Sequence, residues 1–162
     1  MKRTIFIGQP MPRQKRNLHD WPSLNKWLYS IGLNDEIIVK FTFYSALINY
    51  FPGVKNGSHL IPNRKEIKKE KKRLEYTIKN FNPELVVPIG RLSIAYCLNQ
   101  DVQPLSKHIG RAYSVNPYML LNKKLTVIPL PHPSGASTWR FKKENTLLLD
   151  KALQLLKEEI FK

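Results

Sequence analysis

The sequence predicts a three-layer α/β/α sandwich around a parallel sheet. Three observations carry this reading: short apolar runs that are continuous rather than alternating, helical spacing of apolar residues between them, and regular alternation of the two along the chain. Continuous runs suit strands buried on both faces, and alternation of strand and helix places helices on both sides of a parallel sheet.

Thr4-Ile5-Phe6-Ile7, ending at Gly8, is the first such run. Ser23 can cap a helix that carries Leu24, Trp27, Leu28 and Ile31 and stops at Gly32. Ile37 to Phe43 reads as the second strand. Asn63, with Glu66 three residues on, forms a capping box for a helix holding Ile67, Leu74, Ile78 and Phe81, which Asn82-Pro83 ends. Leu85 to Ile89 is the third strand, and Arg91 to Leu98 a short helix burying Ile94 and Cys97. Leu125 to Leu130 is the fourth strand, and Pro88 and Pro129 mark strand exits, where a missing ladder donor is tolerated. Leu149, Ala152, Leu153, Leu156 and Ile160 give a closing helix of about four turns. Tyr50 to Pro62 and Asn99 to Lys124 read as long irregular connections, which in compact domains are often functional.

The 162 residues are expected to form one domain, residues 1–162, and a 42% hydrophobic content suffices for a core. The single Cys97 rules out an internal disulfide and cannot by itself supply a cysteine-based zinc or iron–sulfur site, so no metal cluster is expected. No apolar run approaches the roughly 20 residues of a membrane span. Met1 to Ile5 leads straight into a strand rather than a signal peptide, so a cytoplasmic protein is expected; a monomer is expected as well. Lys and Arg number 27 against 12 acidic residues, a formal charge of +15. Such an excess points to a polyanionic partner, and nucleic acid leads because no segment pairs a basic face with the apolar face of an interfacial helix.

In open parallel sheets, ligands bind beyond the carboxyl ends of the strands. Four unusual segments fall on that rim: Gly8-Gln9-Pro10-Met11-Pro12, Thr42 to Gly53, Gly90-Arg91, and Leu130-Pro131-His132-Pro133-Ser134-Gly135-Ala136-Ser137-Thr138-Trp139. Pro131 and Pro133 restrict the backbone on either side of His132 and so aim its ring, while Ser134 and Gly135 let a ligand come close. Gln9 offers an amide acceptor and two donors, and Gly8 permits close approach. Gly90-Arg91 is either an anion site at a helix start or a plain turn. Arg13, Lys15, Arg16 and Lys55 lie on rim loops suited to phosphates. The run Arg64-Lys65, Lys68, Lys69, Lys71, Lys72 and Arg73 is interrupted by Glu66 and Glu70 at salt-bridge spacing, which favours a solvated helix face.

These segments together resemble the uracil-DNA glycosylase superfamily over nearly the whole chain. The residues that carry the resemblance are Gly8-Gln9-Pro10, Tyr50-Phe51-Pro52-Gly53, Val87-Pro88-Ile89-Gly90-Arg91-Leu92-Ser93-Ile94-Ala95, and above all Leu130-Pro131-His132-Pro133-Ser134-Gly135. The last two are closest to a prokaryotic branch outside the best-known uracil-excising members. The resemblance implies a four-stranded parallel sheet and a monofunctional DNA glycosylase. Such an enzyme flips uracil or a related deaminated base out of DNA and hydrolyses its N-glycosidic bond, without a cofactor, in base excision repair. It implies His132 as the donor to the base carbonyl and Gln9 in base or water positioning. Gly8, Pro10 and Ser134 would line the base site. The first motif here holds no carboxylate of the kind that several branches use to handle water, Asp20 being the nearest acid. Ala46 occupies the position of the usual base-reading Asn, for which Ser45 or Asn49 could substitute, and Trp21 or Phe43 would stack on the base. Trp139 and Arg140 would serve as wedge and phosphate contact, with Trp139 alternatively anchoring the last helix, and Arg91 would contact DNA. A non-catalytic nucleic-acid-binding domain that kept the pocket is the alternative.

Overall fold

The computed structural model describes residues 1–15, 17–134 and 138–162. In chain order its elements are β1 (Thr4–Pro10), α1 (Pro22–Ser30), α2 (Asp35–Phe41), β2 (Thr42–Ile48), β3 (Val54–Lys55), β4 (Ser58–His59), α3 (Arg64–Phe81), β5 (Leu85–Pro88), α4 (Arg91–Leu98), β6 (Tyr113–Val115), β7 (Leu125–Val127) and α5 (Lys143–Ile160). The main sheet runs β2-β1-β5-β7-β6. Its first four strands are mutually parallel, as the sequence predicts, and β6 adds an antiparallel fifth at the edge, with Ser114 opposite Thr126. Among the described residues no helix is long and apolar enough to cross a membrane.

Side-chain alternation along β1 divides the core. Phe6, with Val87 and Ile128, faces Leu24 and Leu28 of α1 and Leu149, Leu153 and Leu156 of α5. Ile5 and Ile7, with Val86 and Val127, face Ile67, Leu74 and Ile78 of α3. Both faces are therefore covered, which is why these strands read as unbroken apolar runs. The α3 capping box forms as expected: Glu66 N–H donates to Asn63 Oδ1 at 3.0 Å, and Asn63 N–H to Glu66 Oε2 at 2.8 Å. Asn82 then ends the helix in the left-handed region at φ 46°.

The second strand departs from the sequence reading. Ile37 to Phe41 belongs to α2, and β2 begins only at Thr42. The deciding residues precede the run. Asn34 accepts from Ile37 N–H at 2.9 Å, and Asp35 and Glu36 lie in the first turn, where the helix dipole favours them. Val39 is then 72% exposed while Ile38 packs inward, a helical rather than a two-faced pattern. Smaller differences follow local chemistry. Helix α1 starts at Pro22, whose missing N–H costs nothing at the first position, rather than behind a Ser23 cap. The connection after residue 50 contains the two-stranded hairpin β3/β4, which turns through Asn56 and Gly57, both at positive φ.

Candidate active site

A cleft of about 570 Å³ opens at the carboxyl ends of the strands. Three segments build it: Pro10 to Lys15 with Trp21, Phe51 with the hairpin residues Val54 and His59, and His132 with Ser134.

The third segment is held firmly. Beyond β7 the chain stays extended, with Ile128 N–H donating to Val86 O, Leu130 N–H to Pro88 O, and Gly90 N–H to Leu130 O, each at 3.0 Å. Pro131 and Pro133 are buried and His132 is half-buried between them. Ser134 N–H donates to His132 Nδ1 at 3.2 Å. Burial, and secondarily the Lys15 ammonium, holds the imidazole below its ordinary pKa, so it is neutral at pH 7. With Nδ1 accepting, the single ring proton sits on Nε2, which makes that atom a donor.

Trp21 packs edge-on to His132, with ring centroids 5.7 Å apart at 78°. Lys15 Nζ lies 4.8 Å from the Trp21 ring centroid. On the other wall, Phe51 meets His59 edge-on at 5.3 Å and carries the Arg13 guanidinium at 5.4 Å. Two aromatic rings, two imidazoles and two cations thus face one space. Among the described residues no carboxylate lines it. Asp20 instead accepts from Asn17 N–H at 2.8 Å within the short 3-10 turn Leu18–Asp20.

The first motif is interlocked with the framework. Gln9 Oε1 accepts from Leu92 N–H at 2.9 Å, in the first turn of α4. Its amide lies over Gly90, where φ is +83° and a Cβ would sit 3.0 Å from Gln9 Cδ. Gly8 does allow a close approach, but what approaches is the buried Tyr44, whose hydroxyl would overlap any Cβ at position 8. Gly8→Ala should therefore cost about 1–3 kcal/mol through overpacking. Adding Tyr44→Phe should recover part of that loss in a thermal melt, and no recovery would place the strain elsewhere.

The remaining expected residues disperse. Phe43 lies at the amino end of β2, away from the cleft, and packs on Phe81 with centroids 5.5 Å apart. Ser45 is buried and accepts from Arg73 Nη1 at 3.3 Å, and Ala46 O accepts from Arg73 Nη2 at 2.6 Å, so this part of β2 is tied to α3. Asn49 is exposed, its N–H donating to Glu70 at 3.1 Å. Trp139 packs against the core shared by α1 and α5, and its carbonyl accepts from Asn145 Nδ2 at 2.7 Å, the anchoring alternative. Arg140 lies over the exposed Phe141 ring at 5.7 Å. Arg91 and Lys55 are exposed, at the start of α4 and on the hairpin. Arg16, Gly135, Ala136 and Ser137 lie outside the described residues. Phe51 and His59 join the cleft without a role that the sequence predicts. The motif Tyr50-Phe51-Pro52-Gly53 marks the first, whereas nothing in the sequence marks the second.

No curated protein matches the chain. The model of the family described as Uracil DNA glycosylase superfamily matches residues 3–157, from the start of the sheet into the last helix. That span takes in the cleft and its His-Pro-Ser loop, and it carries a DNA glycosylase type of function, with DNA as substrate and N-glycosyl bonds as the target. The chain therefore belongs to the uracil DNA glycosylase superfamily.

Proposed function

We propose that the protein releases uracil or a related deaminated base from DNA by hydrolysis of the N-glycosidic bond, for base excision repair. Breaking that bond leaves charge on two sides, cationic on the sugar and anionic on the base. The observation that carries the reading is the Ser134 N–H bond to His132 Nδ1, which leaves the ring proton on Nε2 of a side chain that lines the cleft. A neutral donor aimed at the carbonyl of the departing base stabilises its developing charge. Water adds to the sugar carbon, one proton goes to the base, and the abasic sugar remains. Trp21 and Phe51 supply apolar surface for the flipped base. Gln9 acts as a positioning residue, holding the first motif against α4 through Leu92.

The charge distribution favours the departing base. Lys15, expected from sequence on a phosphate, lies beside Trp21 and is felt by His132, while the described lining offers the sugar cation no carboxylate. Lys15→Met should lower kcat about tenfold, equivalent to ~1.4 kcal/mol, with the salt dependence of binding unchanged. A fall in affinity with the salt slope reduced by about 1 would return Lys15 to a phosphate.

The decisive experiment offers oligonucleotides carrying uracil, hypoxanthine or xanthine and cleaves abasic sites with alkali. Strand breaks with at least one lesion are expected. Their absence with every lesion, alongside tight salt-sensitive DNA binding, would establish the second reading, a binding domain that retains the pocket. The observation favouring that reading is the cleft without a described carboxylate.

A further inference from the structure

The basic run at the start of α3 takes no part in the cleft, and its surroundings give it a separate use. Glu66 and Glu70 stand at spacing that would neutralise the lysines, yet both face the exit of β2. Glu66 accepts from Asn63 N–H and from Tyr50 Oη, and Glu70 from Arg73 Nε and Asn49 N–H. Arg64, Lys68 and Lys71 are left in no ion pair among the described residues. They recur four and three residues apart, so they form one stripe about 10 Å long. Arg64 is also the first residue of α3, where the positive end of the helix dipole disfavours a cation unless an anion sits nearby.

Beside that stripe lies a hollow of about 240 Å³ between α3, α4 and the turn at 117–119. Its apolar wall comes from Leu47, Ile67, Leu74 and Leu120. None of the residues lining it lines the cleft. The turn that closes it is strained: Tyr118 and Met119 both hold positive φ, 58° and 55°, conformations rare for bulky residues. Ser93 Oγ spends its proton on Ile7 O, so the buried Tyr118 hydroxyl donates to Ser93 and pins the turn. Met119 is thereby held 60% exposed at the rim.

We propose that this hollow binds a short acidic peptide segment of a partner protein, with one bulky apolar side chain in the hollow and its carboxylates along Arg64, Lys68 and Lys71. The hollow is sized for one side chain, and the stripe spans about three extended residues. A nucleobase would set its polar edge largely against Leu47, Ile67, Leu74 and Leu120, which offer it no partner, the uncharged polar groups of the lining being confined to Tyr96, Asn99 and Tyr118.

The test is fluorescence anisotropy with three labelled probes: an eight-residue peptide of Asp and Glu with one central Phe, the same peptide with Ser at that position, and a single-stranded octanucleotide. Saturable binding of the Phe peptide is expected, at least tenfold weaker for the Ser peptide. It should be at least tenfold weaker again for the Lys68→Glu/Lys71→Glu protein, whose far-UV circular dichroism and melting temperature should match the parent. Equal binding of the two peptides would reduce the site to charge alone and overturn the proposal. So would absence of peptide binding, or octanucleotide binding that exceeds the peptide's and is lost in the double variant, which would make the stripe a DNA track.

Discussion

Replacing His132 with alanine should reduce base release by about 10²–10³-fold, the usual cost of losing one preorganised donor at a developing anion. Substrate binding should change little, because the donor is needed most when the bond is breaking. The pH profile separates a neutral donor from a charged acid. Burial and Lys15 keep the imidazole below its ordinary value, so the neutral form already predominates at neutrality and kcat should change little from pH 7 to 8. A rate that climbs several-fold as pH drops from 8 to 7 would identify imidazolium as the acid and overturn the neutral role. Stability follows from the same shift. Because the folded state resists protonation, the unfolded chain binds more protons between the depressed value and about 6.5, so this group's effect is a loss of stability as pH falls through that window, levelling off below it. Alanine at 132 should remove that component from the pH dependence of unfolding.

The second large effect is expected at Gly90. An alanine there must adopt φ +83° and place its Cβ 3.0 Å from Gln9 Cδ and Oε1. With ψ at 157° this is an extended positive-φ backbone that essentially only glycine adopts, costing ~1–3 kcal/mol for alanine, and displacing Gln9 takes the acceptor from Leu92 N–H, worth ~0.5–1.5 kcal/mol net. A loss of roughly 2–4 kcal/mol should lower the melting temperature by about 4–16 °C for a chain of this size. The coupling is testable. Gln9→Ala removes the crowding, so the double variant should be more stable than the two single costs predict, by 0.5 kcal/mol or more. Strict additivity would show that Gln9 and Gly90 do not depend on each other.

What could be read before folding follows from what each residue had to satisfy. Strands β1, β5 and β7 were legible because burial on both faces leaves only apolar residues. Ile37 to Phe41 misled because Ile-Ile-Val reads as a strand, while Asn34 and two acids, outside the run, make it a helix. The hairpin strands β3 and β4 and the edge strand Tyr113–Val115, unlike the equally short β7, carry no buried apolar run and are too short for a period to show instead. His132 announced itself because its constraint is local, in the prolines on either side. Phe51 and His59 join the cleft only once the hairpin folds over, and Trp21 and Phe43 could be separated only by knowing which end of the sheet each occupies.

The antiparallel edge strand has a consequence for how the cleft responds to thermal opening. Because β6 covers β7, the strand leading to His132 is hydrogen-bonded on both sides, to β5 and to β6. Its amides at Leu125 to Val127 therefore belong with the slowest-exchanging set, which opens only when the whole protein unfolds. The opposite wall hangs on two two-residue strands that pair only with each other and are exposed to solvent. That wall should exchange deuterium orders of magnitude faster. A base entering the cleft would meet one face as stable as the fold itself and another that can adapt to it.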